Sequence, residues 1–186
     1  MAWPWLAGLG VLLAIGLVVL AVQRNGQPAG AGQQAATALQ VSGPVGAAVG
    51  HPGPTVTVPT FAGGAFRLPA GRPAVVWFMA AWCATCQAEA QALGQLQRQA
   101  GDRAAILAVD VDPVDQPSQT RAFFHAAGDP TYAVARDQDG RLAQAFAVRA
   151  LDTTVVLDAR GRVVYRDDVP TGLATLRSAL AKAGLA

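Results

Sequence analysis

The chain has 186 residues, 52% of them hydrophobic, which is enough for one buried core with apolar sequence to spare. Fourteen Lys and Arg face twelve Asp and Glu, a formal charge of only +2, and no basic run tracks along any segment, so nucleic acid is excluded as a partner. Two cysteines are too few for a disulfide scaffold in a chain of this size.

Met1-Ala-Trp-Pro-Trp5 leads into an uncharged apolar run from Leu6 to Val22, followed by Gln23-Arg24-Asn25. Such a run is at the short end of what crosses a bilayer as a helix, and Trp3 and Trp5 lie where interfacial aromatics anchor a span. Residues 1–24 therefore read as a transmembrane signal anchor with the lipid bilayer as partner; a cleaved signal peptide is the alternative. Arg24 follows the run and no Lys or Arg precedes it, so the charge rule gives slightly contrary guidance. The soluble part is assigned to the extracytoplasmic side of the cell membrane because a short leader before a redox domain serves export. Residues 25–50 are rich in Gly, Ala, Gln and Pro without a sustained period, the composition of a flexible tether.

Residues 51–186 read as one domain. Extended pieces are expected at 55–58 and 65–68, then a continuous apolar strand, Ala74-Val-Val-Trp-Phe-Met-Ala80, of the kind buried on both faces. A helix is predicted from Cys83 to Ala100, with Cys86, Ala90, Leu93, Leu96 and Ala100 on one stripe and Gly101 as its stop. A second buried strand at 104–109 ends in the acidic turn Asp110-Val-Asp-Pro113. A helix at 117–127, a strand at 132–135, a turn at Asp137-Gln-Asp-Gly140 and a short helix at 142–147 follow. Strands at 154–157 and 162–165 flank the hairpin turn Asp158-Ala-Arg-Gly161, and Thr171 caps a last helix. This order predicts an α/β domain with a mixed central sheet and helices on both faces.

Both cysteines lie in Trp82-Cys83-Ala84-Thr85-Cys86, between a buried strand and a helix. One C-x-x-C supplies only two of the four thiolates of a structural zinc site, which leaves a redox pair as the main reading. At a helix start the unpaired N–H groups and the helix dipole favour a Cys83 thiolate. Cys83 is then the attacking sulfur, and Cys86, one turn on, resolves the mixed disulfide. The competing reading is two incidental cysteines, Cys86 being simply core. Glu89, one turn beyond Cys86, could move a proton at the resolving thiol, or could be ordinary dipole compensation. Trp82, Ala84 and Thr85 are candidate docking positions beside the thiols.

The segment Trp77-Phe-Met-Ala-Ala-Trp-Cys-Ala-Thr-Cys-Gln-Ala-Glu89 resembles the active-site segment of the TlpA/ResA/DsbE-type thioredoxin-like family, and the similarity in layout runs from about Gly50 to the end. The resemblance implies a thioredoxin-like fold and a membrane-tethered thiol–disulfide oxidoreductase. Such proteins need no cofactor beyond the dithiol and reduce disulfides of exported clients, often apocytochrome c or cofactor-assembly proteins. A membrane partner recharges the dithiol. Family members also carry Glu at the position matching Glu89.

The sequence departs from the family where a cis-proline should face the dithiol. Ala150-Leu151-Asp152 stands there, and Pro130 fits the role only in an earlier register. Leu151 and Asp152 are thus docking candidates, with a trans bond expected between them. A carboxylate there would oppose the Cys83 thiolate and favour reductant duty. Alternatively, Cys83, Cys86 and Asp152 could hold copper or zinc in a metal-delivery module, or Asp152 could merely cap a turn. No separate metal site is assigned. His51 and His125 do not fall near the dithiol, and a peroxiredoxin would need Thr or Ser at the position of Ala80.

Overall fold

The computed structural model describes residues 38–185. The anchor expected over 1–24 and the tether up to residue 37 lie outside the described residues, among which no helix is long and apolar enough to cross a membrane.

Three strands build the centre of the molecule: β4 (Ala74–Met79), β5 (Ala105–Asp110) and β7 (Thr153–Leu157), in which every residue is buried. Continuous burial suits strands covered on both faces, and it places these three side by side. With β6 (Ala133–Arg136) and β8 (Val163–Asp167) they form a five-stranded sheet of order β6-β5-β4-β7-β8. The β4–β5 and β5–β6 pairs are parallel, while β4–β7 and β7–β8 are antiparallel.

Alternation along β4 divides the core. Val75, Trp77 and Met79 face α1 (Cys86–Ala100), α2 (Pro117–Ala126) and α4 (Leu173–Lys182), through Leu93, Leu96, Phe123, Phe124, Leu176 and Leu180. Val76 and Phe78 face the other way, onto Leu142 of the short α3 (Arg141–Ala145), onto Phe146, and onto a second sheet made of β1 (Gln40–Ser42), β2 (Thr55–Pro59) and β3 (Ala65–Leu68). Helices therefore cover both faces, with the small sheet completing the second.

Two expectations are corrected here. Residues 40–42 lie within the expected tether, yet they form a strand paired with β2, and Leu39, Val41 and Ala47 pack on the core. Three residues offer too little alternation for a strand to stand out; the pairing partner, not the local pattern, creates it. The helix expected from Cys83 begins at Cys86, because Cys83 closes a preceding turn in which its N–H donates to the Ala80 carbonyl at 3.0 Å.

Asp137 does more than mark a turn. Its buried carboxylate accepts from the N–H groups of Leu142 (2.9 Å) and Ala143 (2.7 Å), donors in the first turn of α3 that have no partner within the helix. Asp137→Ala should cost about 1–2 kcal/mol in urea unfolding, with Asp137→Asn recovering part of it. Equal stability of the three proteins would show that the cap is idle.

Candidate active site

The β4–β7 register pairs Phe78 with Thr153 and Trp77 with Thr154, so the residue before β7 comes to the end of β4 from which the dithiol turn departs. Two carboxylates hold that turn from the neighbouring loop. Buried Asp115 accepts the Ala81 N–H at 2.7 Å, and Asp112 accepts the Trp82 indole N–H at 2.5 Å. The latter bond is the main reason the Asp112 carboxyl sits below its ordinary range. It leaves the Trp82 ring 66% exposed beside the cysteines.

Cys83 and Cys86 are joined in a disulfide, with Cα atoms 5.3 Å apart. Cys83 keeps 7% of its surface and Cys86 none, and the Cys83 sulfur lies 3.3 Å from the Thr85 hydroxyl. Ala84 and Thr85 are exposed between them. Cys83 thus keeps a small solvent contact, and Cys86 has none.

Asp152 is fully buried beside this pair, in the register expected for it. A sulfur of each cysteine and a carboxylate oxygen of Asp152 all lie within 4.8 Å of one another. Trp77 donates its indole N–H to Asp152 Oδ1 at 3.1 Å, while Oδ2 has no hydrogen-bond partner. Burial pushes the Asp152 carboxyl up, against smaller opposing pulls from Trp77 and from the nearby Thr85 hydroxyl. The Leu151–Asp152 bond is trans, since the one cis bond among the described residues is Leu68–Pro69. Leu151 packs against the core cluster that includes both cysteines. Pro130 lies instead against Gly94, eight residues beyond Cys86 on α1, so it does not face the dithiol.

Glu89 is 1% exposed, and an exposed carboxylate compensating the dipole is not what α1 carries. Its Oε1 accepts from the Thr154 hydroxyl at 2.5 Å and its Oε2 from the Thr171 N–H at 2.8 Å. Burial pushes its pKa up to about 8; the hydrogen bonds oppose this, and the Asp152 and Asp167 carboxylates add to it. Both bonds are accepted by the carboxyl oxygens and favour its ionised form, yet burial outweighs them.

Thr171 accordingly does not cap α4, where Gly172 takes that place without a side-chain bond; the Thr171 hydroxyl donates to Asp167 at 2.7 Å. Sequence reasoning missed Trp77, Asp112, Asp115, Thr154 and Thr171 at this site. Each joins it through a contact across the fold that no local motif signals. His125 is exposed and paired with Asp129, and His51 is exposed in the segment before β2.

A mixed five-stranded sheet with a disulfide-forming C-x-x-C at the mouth of its first core helix defines the class of thioredoxin-like dithiol proteins. Residues 49–166 match the AhpC/TSA family, and the chain belongs to it. Among curated relatives, the thiol:disulfide interchange protein DsbE homolog of Paracoccus denitrificans is 33% identical over 96 residues, covering 52% of this chain and 50% of that protein. The mercury resistance operon ORF3 product of Streptomyces lividans is 30% identical over 120 residues, 63% of each chain. The chain thus spans about half to under two thirds of these relatives' length. The structure of MTB dsbF in its mixed oxidized and reduced forms superposes with a TM-score of 0.61 at 26% identity, covering 68% of this chain and 93% of that one.

Proposed function

We propose that this protein is a thiol–disulfide oxidoreductase that reduces disulfides of exported client proteins. In this reading the Cys83 thiolate attacks the client disulfide, forms a mixed disulfide and releases one client thiol; Cys86 then attacks Cys83 and frees the second. The observation that carries it is the Cys83–Cys86 disulfide at the start of α1 with solvent contact kept by Cys83 alone. Glu89 serves as the proton acceptor for the Cys86 thiol. The domain is tethered to the cell membrane through Leu6 to Val22, faces the extracytoplasmic side and is recharged by a membrane electron donor. Clients of the apocytochrome c and cofactor-assembly type suit such a dithiol.

Reductant duty is supported by the charges around the pair. Asp152, buried beside both sulfurs, offers the reduced pair a carboxyl and no cation. A poorly stabilised thiolate makes a dithiol more reducing. The test is the midpoint potential in a glutathione or thioredoxin buffer, with insulin reduction measured alongside. A value below about −200 mV with turnover is expected; one near the −120 mV of a strong oxidant, with no reduction, overturns the reading.

Exposed Trp82 is the docking anchor in this account. Trp82→Ala should raise KM for a protein client about tenfold or more with kcat nearly kept, because a truncated aromatic anchor removes binding common to ground and transition states. Stability should shift by under about 1 kcal/mol, as for other exposed positions. An unchanged KM removes Trp82 from the docking surface.

A further inference from the structure

The reduced site contains an arrangement that disulfide exchange does not require. We infer that, once reduced, Cys83, Cys86 and Asp152 form a three-ligand site for a zinc ion. The inference needs only the reduced dithiol, so it stands or falls separately from client reduction.

The geometry starts from Asp152. Its side chain is wholly buried, Oδ1 is held by the Trp77 indole N–H, Oδ2 is left with no hydrogen-bond partner, and a carboxylate oxygen lies within 4.8 Å of both sulfurs. Burying a polar oxygen without a partner is costly, and in this position a cation would supply the missing one. A carboxylate fixed by a hydrogen bond on one oxygen and open on the other is how ligating carboxylates are oriented. Zinc takes both thiolates and carboxylates, with Zn–S of about 2.3 Å and Zn–O of about 2.0–2.2 Å, so its ligand atoms stand roughly 3.5–3.8 Å apart. Asp152 lies within 4.8 Å of both sulfurs, about an ångström from that spacing, and reduction frees the sulfurs to separate.

The ion also answers a charge problem. Two thiolates and a carboxylate enclosed together would carry three negative charges, so they ionise together only with a cation between them, and a divalent ion offsets two. Binding to the dithiol form releases two thiol protons and moves no electrons, and the disulfide form offers no thiolate ligand. Three protein ligands leave a fourth position for water, and bound zinc would hold the pair reduced and unavailable to clients.

The full chain, reduced without oxygen, should be titrated with zinc against a chromophoric chelator, with its oxidised form in parallel. One equivalent per reduced chain and none per oxidised chain is expected. Asp152→Asn should weaken binding by about tenfold or more while two thiols still titrate. Equal binding by the oxidised chain, or an affinity unchanged in Asp152→Asn, overturns the site. Should Asp152→Asn fold poorly, X-ray absorption on zinc-loaded wild type decides alone: two sulfur and two light ligands support the site, and four sulfurs, shared between two chains, refute it.

Discussion

Cys83→Ser should abolish client reduction, a loss of at least about 10³-fold, whereas Cys86→Ser should accumulate the intermediate instead of merely slowing the reaction. The difference follows from position. Cys83 retains solvent contact in the turn ahead of α1, while Cys86 is sealed at the first residue of the helix among Trp77, Met79 and Leu93 of the same core cluster. A client disulfide can meet only the first sulfur, and the second can meet only the first. With Cys86 replaced by Ser, the client should remain attached through Cys83 and be detected by mass spectrometry as a covalent adduct of one chain with one client. If the two serine variants behave alike, or if the adduct forms through Cys86, the assignment of roles is wrong.

Glu89→Gln should flatten a pH dependence that the wild type shows in both rate and stability. Burial pushes Glu89 from 4.5 up to about 8, so between these values the folded chain holds a proton that the unfolded chain has lost. Stability therefore falls with rising pH across that window: the contribution is intact below about pH 4.5 and is lost as pH passes through about 8. Each unit of such a shift corresponds to about 1.4 kcal/mol, so the variant should gain on the order of a few kcal/mol relative to wild type between pH 5 and pH 9. Glutamine can still accept the Thr171 N–H and donate to the Thr154 hydroxyl, so the links to β7 and to the segment before α4 survive.

The rate is the more discriminating readout. As base for the Cys86 thiol, Glu89 becomes competent only as it ionises, so the resolving step should accelerate with pH and show an inflection near 8. Glu89→Gln should lose that inflection and about 10²-fold in rate, the low end of general-base effects. A variant that loses the stability slope but keeps the rate inflection would make Glu89 a tie between elements and nothing more.

What could be read ahead of the structure divides along a physical line. β4 and β5 were legible because a strand buried on both faces is a continuous apolar run, β7 because it flanks the hairpin turn Asp158–Gly161, and the dithiol because a C-x-x-C stands between a buried strand and a helix. The place of Asp152 followed from the resemblance, and the β4–β7 register agrees with it. Its partner did not: Trp77 reads as one more core residue of β4, and only folding brings its indole N–H to a carboxylate 75 residues away. Thr171 likewise looks like a helix cap, yet its N–H serves Glu89 across 82 residues. The acidic turn after β5 read as plain punctuation, although Asp112 and Asp115 brace Trp82 and Ala81. Residues 40–42 were hidden for the opposite reason, a strand too short to carry a pattern.

The most direct test is to reduce the protein and follow alkylation of each thiol by mass spectrometry under native conditions. Labelling of Cys83 should run at least about tenfold ahead of Cys86, which should react only after unfolding. Equal rates, or labelling that begins at Cys86, would contradict a mechanism in which the outer sulfur attacks and the inner one resolves.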